Sequence, residues 1–504
     1  MLRRILDLPL FVILMGVGSL AMYVPAGHAL ARHEHRVAQA FFYSGTLFLI
    51  LTVLIGIATA ANRTGHVARN HLLTLVAAFV VLPVMLAIPV AEVVPDTSYF
   101  NAWWEMVASF TTTGATLFEP DRLPGSVHLW RALVSWFGGL FVLVTAVAIL
   151  APMNLGGFEV LSGSPMGQGV LSGAQNTQKI DTSERLIRFT GWIFPPYAGL
   201  TLALWIALIV AGDAPLVAAC HAMSTLATSG ISPIGGLDQA GSGHAGEAII
   251  FVFLVFALSR RLMPSMGKTA QGSLRADPEL RLAVLIVVIV PLLLFFRHWV
   301  GALEVDDVQD TQAAMRALWG SVFTVLSFLT TTGFESAHWG AVQHWSGLPT
   351  PGLVLAGLAV IGGGVATTAG GVKLLRVYAL YRHGEREVER LVHPNSIGGA
   401  GVQARRLRRQ GAQMAWIFFM LFALSIAVTM LALSLTGLDF EGSTVFAVAA
   451  LSTTGPLASV AAETPLSWAS LDDTARTIVA LAMVVGRLET LAFIALLNPE
   501  FWRG

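Results

Sequence analysis

Charge is what this chain has least of. Of its 504 residues only 12% are Asp, Glu, Lys or Arg, about half the roughly 25% of an average soluble chain. The 30 basic and 30 acidic side chains cancel, so no net field draws the protein to nucleic acid. A single cysteine, Cys220, excludes an intrachain disulfide and a cysteine-ligated metal cluster. Deep inside the apolar runs, ionisable residues are nearly missing, Arg487 and Glu489 being the main exceptions. That scarcity argues against a membrane-embedded enzyme, which needs several such groups converging on one substrate.

Apolar residues make up 55% of the chain, and the mean hydropathy is +0.70. Runs long enough to cross a bilayer core of about 30 Å fall near 8–31, 38–61, 70–94, 130–152, 186–211, 247–264, 280–300, 352–382, 410–437 and 474–498. The expected fold is an all-α polytopic membrane protein seated in a lipid bilayer. Arg3 and Arg4 ahead of an apolar run allow a cleaved leader as one reading. The stretch from Leu8 to Pro25 is long for a leader, and a second apolar run follows at once, which favours a retained first helix.

Between these runs lie four stretches near 100–112, 215–228, 314–331 and 441–453. They are too short to cross and too apolar for ordinary loops, which fits re-entrant helices. Loop charge supplies a topology. With the N-terminus inside, the internal loops carry Arg185, Arg188, Arg260, Arg261 and the arginines at 405–409, while Glu119, Asp121, Asp213, Asp238, Asp306 and Asp472 fall outside. Arg32 and Arg36 are the exceptions to this positive-inside pattern.

Each short stretch ends in a Thr/Ser-rich turn closing on glycine: Thr112-Thr113-Gly114, Thr228-Ser229-Gly230, Thr331-Thr332-Gly333 and Thr453-Thr454-Gly455. The topology puts all four on the same outer side, so the repeats are parallel. The expected organisation is a helix pair over 1–65, then units over 66–155, 156–268, 269–395 and 396–504. Four such units are what one chain needs to ring an ion path with backbone carbonyls. Glycine would supply the positive φ that aims those carbonyls inward, and the threonines could add hydroxyl oxygens. A lone Thr-Thr-Gly says nothing; four in one hydropathy frame do.

Two further features stand out. Gly362-Gly363-Gly364-Val365-Ala366-Thr367-Thr368-Ala369-Gly370-Gly371 interrupts the run at 352–382, just before Lys373. Each interior glycine costs about 1 kcal/mol in a helix, so a break at membrane depth is expected, with close packing through small residues as the other reading. Arg487, at depth in the last run, is by default a functional residue, or else a structural one paired with a backbone carbonyl or a distant carboxylate.

Other motifs lead nowhere. Gly241-Ser242-Gly243-His244-Ala245-Gly246 matches a dinucleotide fingerprint but has no βαβ unit around it. Gly267-Lys268-Thr269 lacks the earlier glycine of a phosphate loop, where Leu262 stands instead. His33, His35, His338 and His344 show no metal-ligand spacing, and packing is the expected work of His221.

The chain resembles the Trk/Ktr/HKT superfamily of potassium transporters, and its Trk-type membrane subunit in particular. The resemblance rests on the segments at 109–116, 221–230 and 329–334, on Gly455-Pro456, Asp277-Pro278-Glu279-Leu280-Arg281, the glycine-rich stretch at 362–371, and Gly486-Arg487-Leu488-Glu489. It implies two N-terminal helices and four helix–pore helix–helix repeats around one central pore, in a homodimer in the bacterial cytoplasmic membrane. Gly114, Gly230, Gly333 and Gly455 would be the glycines of a selectivity filter for K+. Serine at the first of these accompanies sodium permeation in relatives; glycine at all four favours potassium. The segment at 362–371 would be an intramembrane gate, Arg487 would face the pore beneath the filter, and Lys373 would sit near the inner mouth. A separate cytosolic ring of nucleotide-binding regulatory subunits would dock on the arginine-rich loops, since no loop here can hold a nucleotide-binding domain. The implied activity is potassium uptake without enzymatic chemistry or a cofactor, with a sodium- or proton-coupled symporter as the alternative. Phe256-Ala257-Leu258-Ser259 departs from the glycine pair common in relatives, so a bulkier or differently bent inner wall is expected in the second repeat.

Overall fold

A computed structural model describes residues 8–59, 67–151, 182–263, 274–302, 311–346, 351–393 and 411–488. The arginines at 405–409, the aspartates at 306–310, Lys268 and Glu489 lie outside them. Among the described residues every regular element is helical.

The helices run α1 Leu10–Ala21, α2 Tyr23–Ala31, α3 His35–Thr59, α4 Val67–Val80, α5 Leu82–Val93, α6 Tyr99–Phe110, α7 Gly125–Thr145, α8 Thr182–Ala211, α9 Pro215–Ala227 and α10 Gly243–Leu254. They continue as α11 Pro278–Ala302, α12 Thr311–Leu329, α13 Trp339–Ser346, α14 Gly352–Ile361, α15 Leu374–Val392, α16 Ala412–Ser434, α17 Phe440–Leu451, α18 Leu457–Ala461 and α19 Asp473–Leu488. Among the described residues seven stretches are long and apolar enough to cross a membrane, the first being α1 and α2 run together through Met22. The chain is a multi-pass membrane protein: two N-terminal helices, then four helix–short helix–turn–helix repeats.

Of the four short helices α6, α9, α12 and α17, three begin where local chemistry starts a helix. Ser98 Oγ accepts from Asn101 N ahead of α6, Asp439 Oδ1 accepts from Gly442 N ahead of α17, and Pro215 opens α9, where its missing N–H is not needed. The third, α12, runs to 19 residues and starts three residues ahead of the stretch expected at 314–331.

Two of the expected spans are broken. The run at 247–264 stops as α-helix at Leu254, makes one tight turn over Val255–Ala257, and is extended at Ser259 (φ −156°, ψ 136°). Ser259 Oγ donates to Asp277 Oδ2 at 2.6 Å, pinning the bent chain. The expectation of a different inner wall in the second repeat is met by a break rather than by bulk. The run at 352–382 ends at Ile361 and resumes at Leu374. The two breaks face each other, Gly364 N donating to Ala257 O at 3.0 Å.

The repeats close into a circle because the last packs on the first. Trp104 Nε1 on α6 donates to Arg476 O on α19 at 3.0 Å, and Arg476 Nη1 donates to Asn101 Oδ1 at 2.9 Å. Aromatic side chains fill the wedge behind α6: Phe79, Phe110 and Phe141 lie within 5.9 Å of one another between ring centres.

Candidate functional site

The four turns meet at the centre of the circle, all twelve of their residues lining or walled into it. In every turn the first threonine takes the left-handed conformation: Thr112, Thr228, Thr331 and Thr453 have φ of 55°, 52°, 57° and 55°. The threonines thus join the glycines, from which the positive φ was expected, in the left-handed region. Gly114, Gly230 and Gly333 share it at 71°, 67° and 84°, but Gly455 does not. Pro456 follows Gly455 and restricts the backbone before it, and the Gly455 N–H is turned toward Thr113 O at 2.6 Å.

Close approach is what all four glycines have in common. A Cβ on Gly114 would lie 1.7 Å from Ser229 O; on Gly230, 2.2 Å from Thr332 O; on Gly333, 2.9 Å from Pro456; and on Gly455, 2.7 Å from Thr113 O. Each glycine therefore rests on the next repeat, and the fourth rests on the first. Any larger residue would drive into a neighbouring backbone at Gly114, Gly230 and Gly455, and into the Pro456 ring at Gly333.

The middle hydroxyl of each turn is held by a second hydroxyl. Thr113 pairs with Thr111 at 2.9 Å, Thr332 with Thr330 at 3.0 Å, and Ser452 donates to Thr454 at 3.2 Å. The second repeat has Ala227 at that place, and Ser229 pairs instead with Ser224 at 3.1 Å. These hydroxyls pin the turns; the sequence offered them as oxygens for an ion.

A strut that sequence reading missed braces three of the corners. Nine residues before Gly114, Gly230 and Gly333 stand Glu105, His221 and Thr324. Glu105 Oε2 accepts from Leu117 N at 3.1 Å, His221 Nε2 meets Ser232 Oγ at 2.9 Å, and Thr324 Oγ1 accepts from Ser336 N at 3.3 Å. In the fourth repeat the place belongs to Phe446, whose ring lies tilted at 54° against Trp468, whose Nε1 donates to Gly455 O at 3.1 Å. The shared position carries Glu, His, Thr or Phe, so no residue-type motif signals it; equal spacing from the glycines could have. His221 is thus a brace as well as packing.

Glu105 also meets Arg131 Nε at 2.6 Å with both side chains buried. Breaking a buried pair leaves an uncompensated charge and costs about 3–5 kcal/mol. Glu105→Ala should therefore lower the apparent melting temperature of the detergent-solubilised protein markedly, and by more than Thr324→Ala does; an unchanged melting curve would refute the strut.

The glycine-rich segment lies directly against the ring. Gly370 N donates to Thr331 Oγ1 at 2.7 Å and Thr368 Oγ1 to Leu226 O at 3.0 Å. A Cβ on Gly370 would meet Ser452 O at 2.1 Å. The segment thus touches the second, third and fourth corners. Thr367 Oγ1 caps Gly364 O at 2.7 Å, and Val365 N donates to Glu279 Oε1 at 2.8 Å. Its base is a clasp: Val372 N to Val360 O at 2.9 Å, Lys373 N to Ile361 O at 2.8 Å, Leu374 N to Gly363 O at 2.9 Å. Gly362 and Gly371, both with φ of 73°, are in mutual contact there. Lys373 is buried and its Nζ donates to Ala369 O. Arg487 is buried on α19, next to Gly486, whose Cα faces the Leu451 carbonyl at the end of α17.

On the opposite side of the ring a cavity of about 960 Å³ has all four glycines among its lining residues. Glu119, Asp238 and Glu335 line it, with Arg122 and Arg131. Burial, and then the facing Asp238, push the Glu335 carboxyl up to about 7, against a hydrogen bond from Ser459 that pulls it down.

The family model described as TrkH, cation transport protein, matches residues 37–235 and 249–501. The Trk system potassium uptake protein TrkH of Salmonella typhimurium is 32% identical over 423 residues, covering 81% of this chain and 80% of that protein. TrkG of Escherichia coli is 27% identical over 499 residues, covering 96% of each. The crystal structure of the potassium transporter TrkH from Vibrio parahaemolyticus matches with a TM-score of 0.79 at 25% identity, over 100% of both chains.

Proposed function

The chain belongs to the TrkH family of cation transport proteins, and from that premise we propose that it carries K+ through the ring of four turns into the cell. It is a membrane transport protein and not an enzyme. The interlocking of the four corners carries this reading: each glycine rests on the following repeat, which fixes four sets of backbone carbonyls around one axis. Carbonyls so arranged can replace the water shell of a monovalent cation. The residues of the ring are Thr112, Thr113, Gly114, Thr228, Ser229, Gly230, Thr331, Thr332, Gly333, Thr453, Thr454 and Gly455.

The large cavity is then the outer vestibule, and the N-terminus is cytoplasmic. The segment from Gly362 to Gly371 is a gate closing the path beneath the ring, with Lys373 and Arg487 as the cations that border it. Its hydrogen bonds to the second and third corners and its close contact with the fourth support that role. The ion moves down its electrochemical gradient, the potential alone contributing about 2.3 kcal/mol per charge per 100 mV. A homodimer in the cytoplasmic membrane, gated by a separate nucleotide-binding ring, completes the proposal.

The test is flux from reconstituted liposomes with potassium on one side and sodium on the other. Potassium flux that persists without a sodium or proton gradient supports the pore; flux that requires either gradient supports the symporter. Asp238→Asn should weaken the vestibule's pull on cations. Its half-saturating potassium concentration should rise severalfold at low ionic strength and much less near 0.15 M salt, where charges are screened beyond about 8 Å.

A further inference from the structure

Two histidines that are 94 residues apart in sequence stand with their Nε2 atoms 2.6 Å apart, at an exposed place. His244 lies in the first turn of α10, and His338 in the segment leading from the third turn to α13. Their rings are 4.4 Å apart between centres and nearly perpendicular, at 83°. Two ring nitrogens from two separate elements therefore meet in one hydrogen bond, one imidazole donating and the other accepting.

We propose that His244 and His338 bind a divalent transition-metal ion such as Zn2+ from the vestibule side, and that the bound ion straps the loop beyond the third turn to α10. Imidazole nitrogens are standard ligands for Zn2+ at about 2.0–2.1 Å. Tetrahedral geometry at that length needs the two nitrogens about 3.4 Å apart, a small opening of an exposed pair. Neutral imidazole is the liganding form.

The pair is mounted on the strut system of the third corner. Glu247, one turn along α10 from His244, accepts from Ser336 Oγ at 2.9 Å, Ala337 N at 2.7 Å and Trp319 Nε1 at 2.8 Å. His338 N donates to Ser336 Oγ at 3.2 Å, and Ser336 N reaches Thr324. With Glu247 so engaged, the two imidazoles are the protein's ligands and water fills the remaining positions, an open site. A metal there ties the segment from Ser336 to His338, which begins three residues after Gly333, more firmly to α10. The effect on transport rests on the proposed pore; the binding does not.

The experiment is calorimetric titration of Zn2+ into the detergent-solubilised full chain without a polyhistidine tag, followed by flux in liposomes with Zn2+ outside. One ion should bind per chain at this site. His244→Ala or His338→Ala should weaken it by more than the roughly 10–100-fold that loss of an outer-shell partner costs. The exposed pair His33 and His35, whose rings are 6.4 Å apart, serves as control: His33→Ala with His35→Ala should leave that binding intact. Zn2+ should slow potassium flux in the unsubstituted protein and not in His244→Ala, whose flux without zinc should be unchanged. Zn2+ binding that survives the double substitution His244→Ala with His338→Ala would overturn the site. Binding without any slowing would overturn the strap.

Discussion

Gly114→Ala should reduce potassium flux and potassium-over-sodium preference together, each by at least about tenfold, in a protein that still inserts and folds. Two effects add at this position. The left-handed conformation costs a residue with a Cβ about 1–2 kcal/mol, and Gly114 has a φ of 71°. The new Cβ would also lie 1.7 Å from the carbonyl oxygen of Ser229, so the second turn must move. A difference of 1.4 kcal/mol is already a factor of ten. The displaced carbonyl belongs to the set proposed to coordinate the ion, which is why selectivity falls with rate. Gly114→Ser makes the same collision and should admit sodium for the same reason. Parallel potassium and sodium fluxes in liposomes decide the matter: an unaltered ratio in both variants would remove the ring from the ion path.

Excising Gly364–Gly370 should raise potassium flux about tenfold or more. The clasp at the base makes the deletion feasible. Residues 360 and 361 already hold residues 372 and 373 by backbone hydrogen bonds, and Gly362 touches Gly371, so the cut ends are neighbours. What is lost are the contacts of Gly370 with Thr331 and of Thr368 with Leu226, together with the bonds of Gly364 N to Ala257 O and of Val365 N to Glu279. A milder form is Thr331→Val, which removes the hydroxyl that accepts from Gly370 N and should raise flux less. If the excised protein conducts no faster than the parent, the segment is packing and not a gate.

How much of this could be read from residues alone depends on range. The four turns and the short helices before them were legible, because both are local patterns repeated in one frame. The break after Ile361 was legible for the same reason: glycines next to one another announce themselves. The break after Leu254 was only half visible. Phe256-Ala257-Leu258-Ser259 contains no helix breaker, and the bend depends on Ser259 reaching Asp277, 18 residues away. The positive φ of Thr112, Thr228, Thr331 and Thr453 was hidden, since threonine prefers to avoid that region and only the surrounding ring enforces it. The struts were invisible to residue type, because Glu105, His221 and Thr324 do one job with three chemistries. The pairing of His244 with His338 spans two repeats, so no spacing rule applied within one segment could reveal it.

The ring has a rotational sense: first corner onto second, second onto third, third onto fourth, fourth back onto Thr113. A pore assembled from four identical chains can be altered only in all its corners at once. Here each corner answers to its own codon, so one can be changed alone: the second has its hydroxyl partner displaced to Ser224, and the fourth carries both a glycine without positive φ and an aromatic brace. Because each corner leans on the next, a change at one reaches its neighbour around the circle.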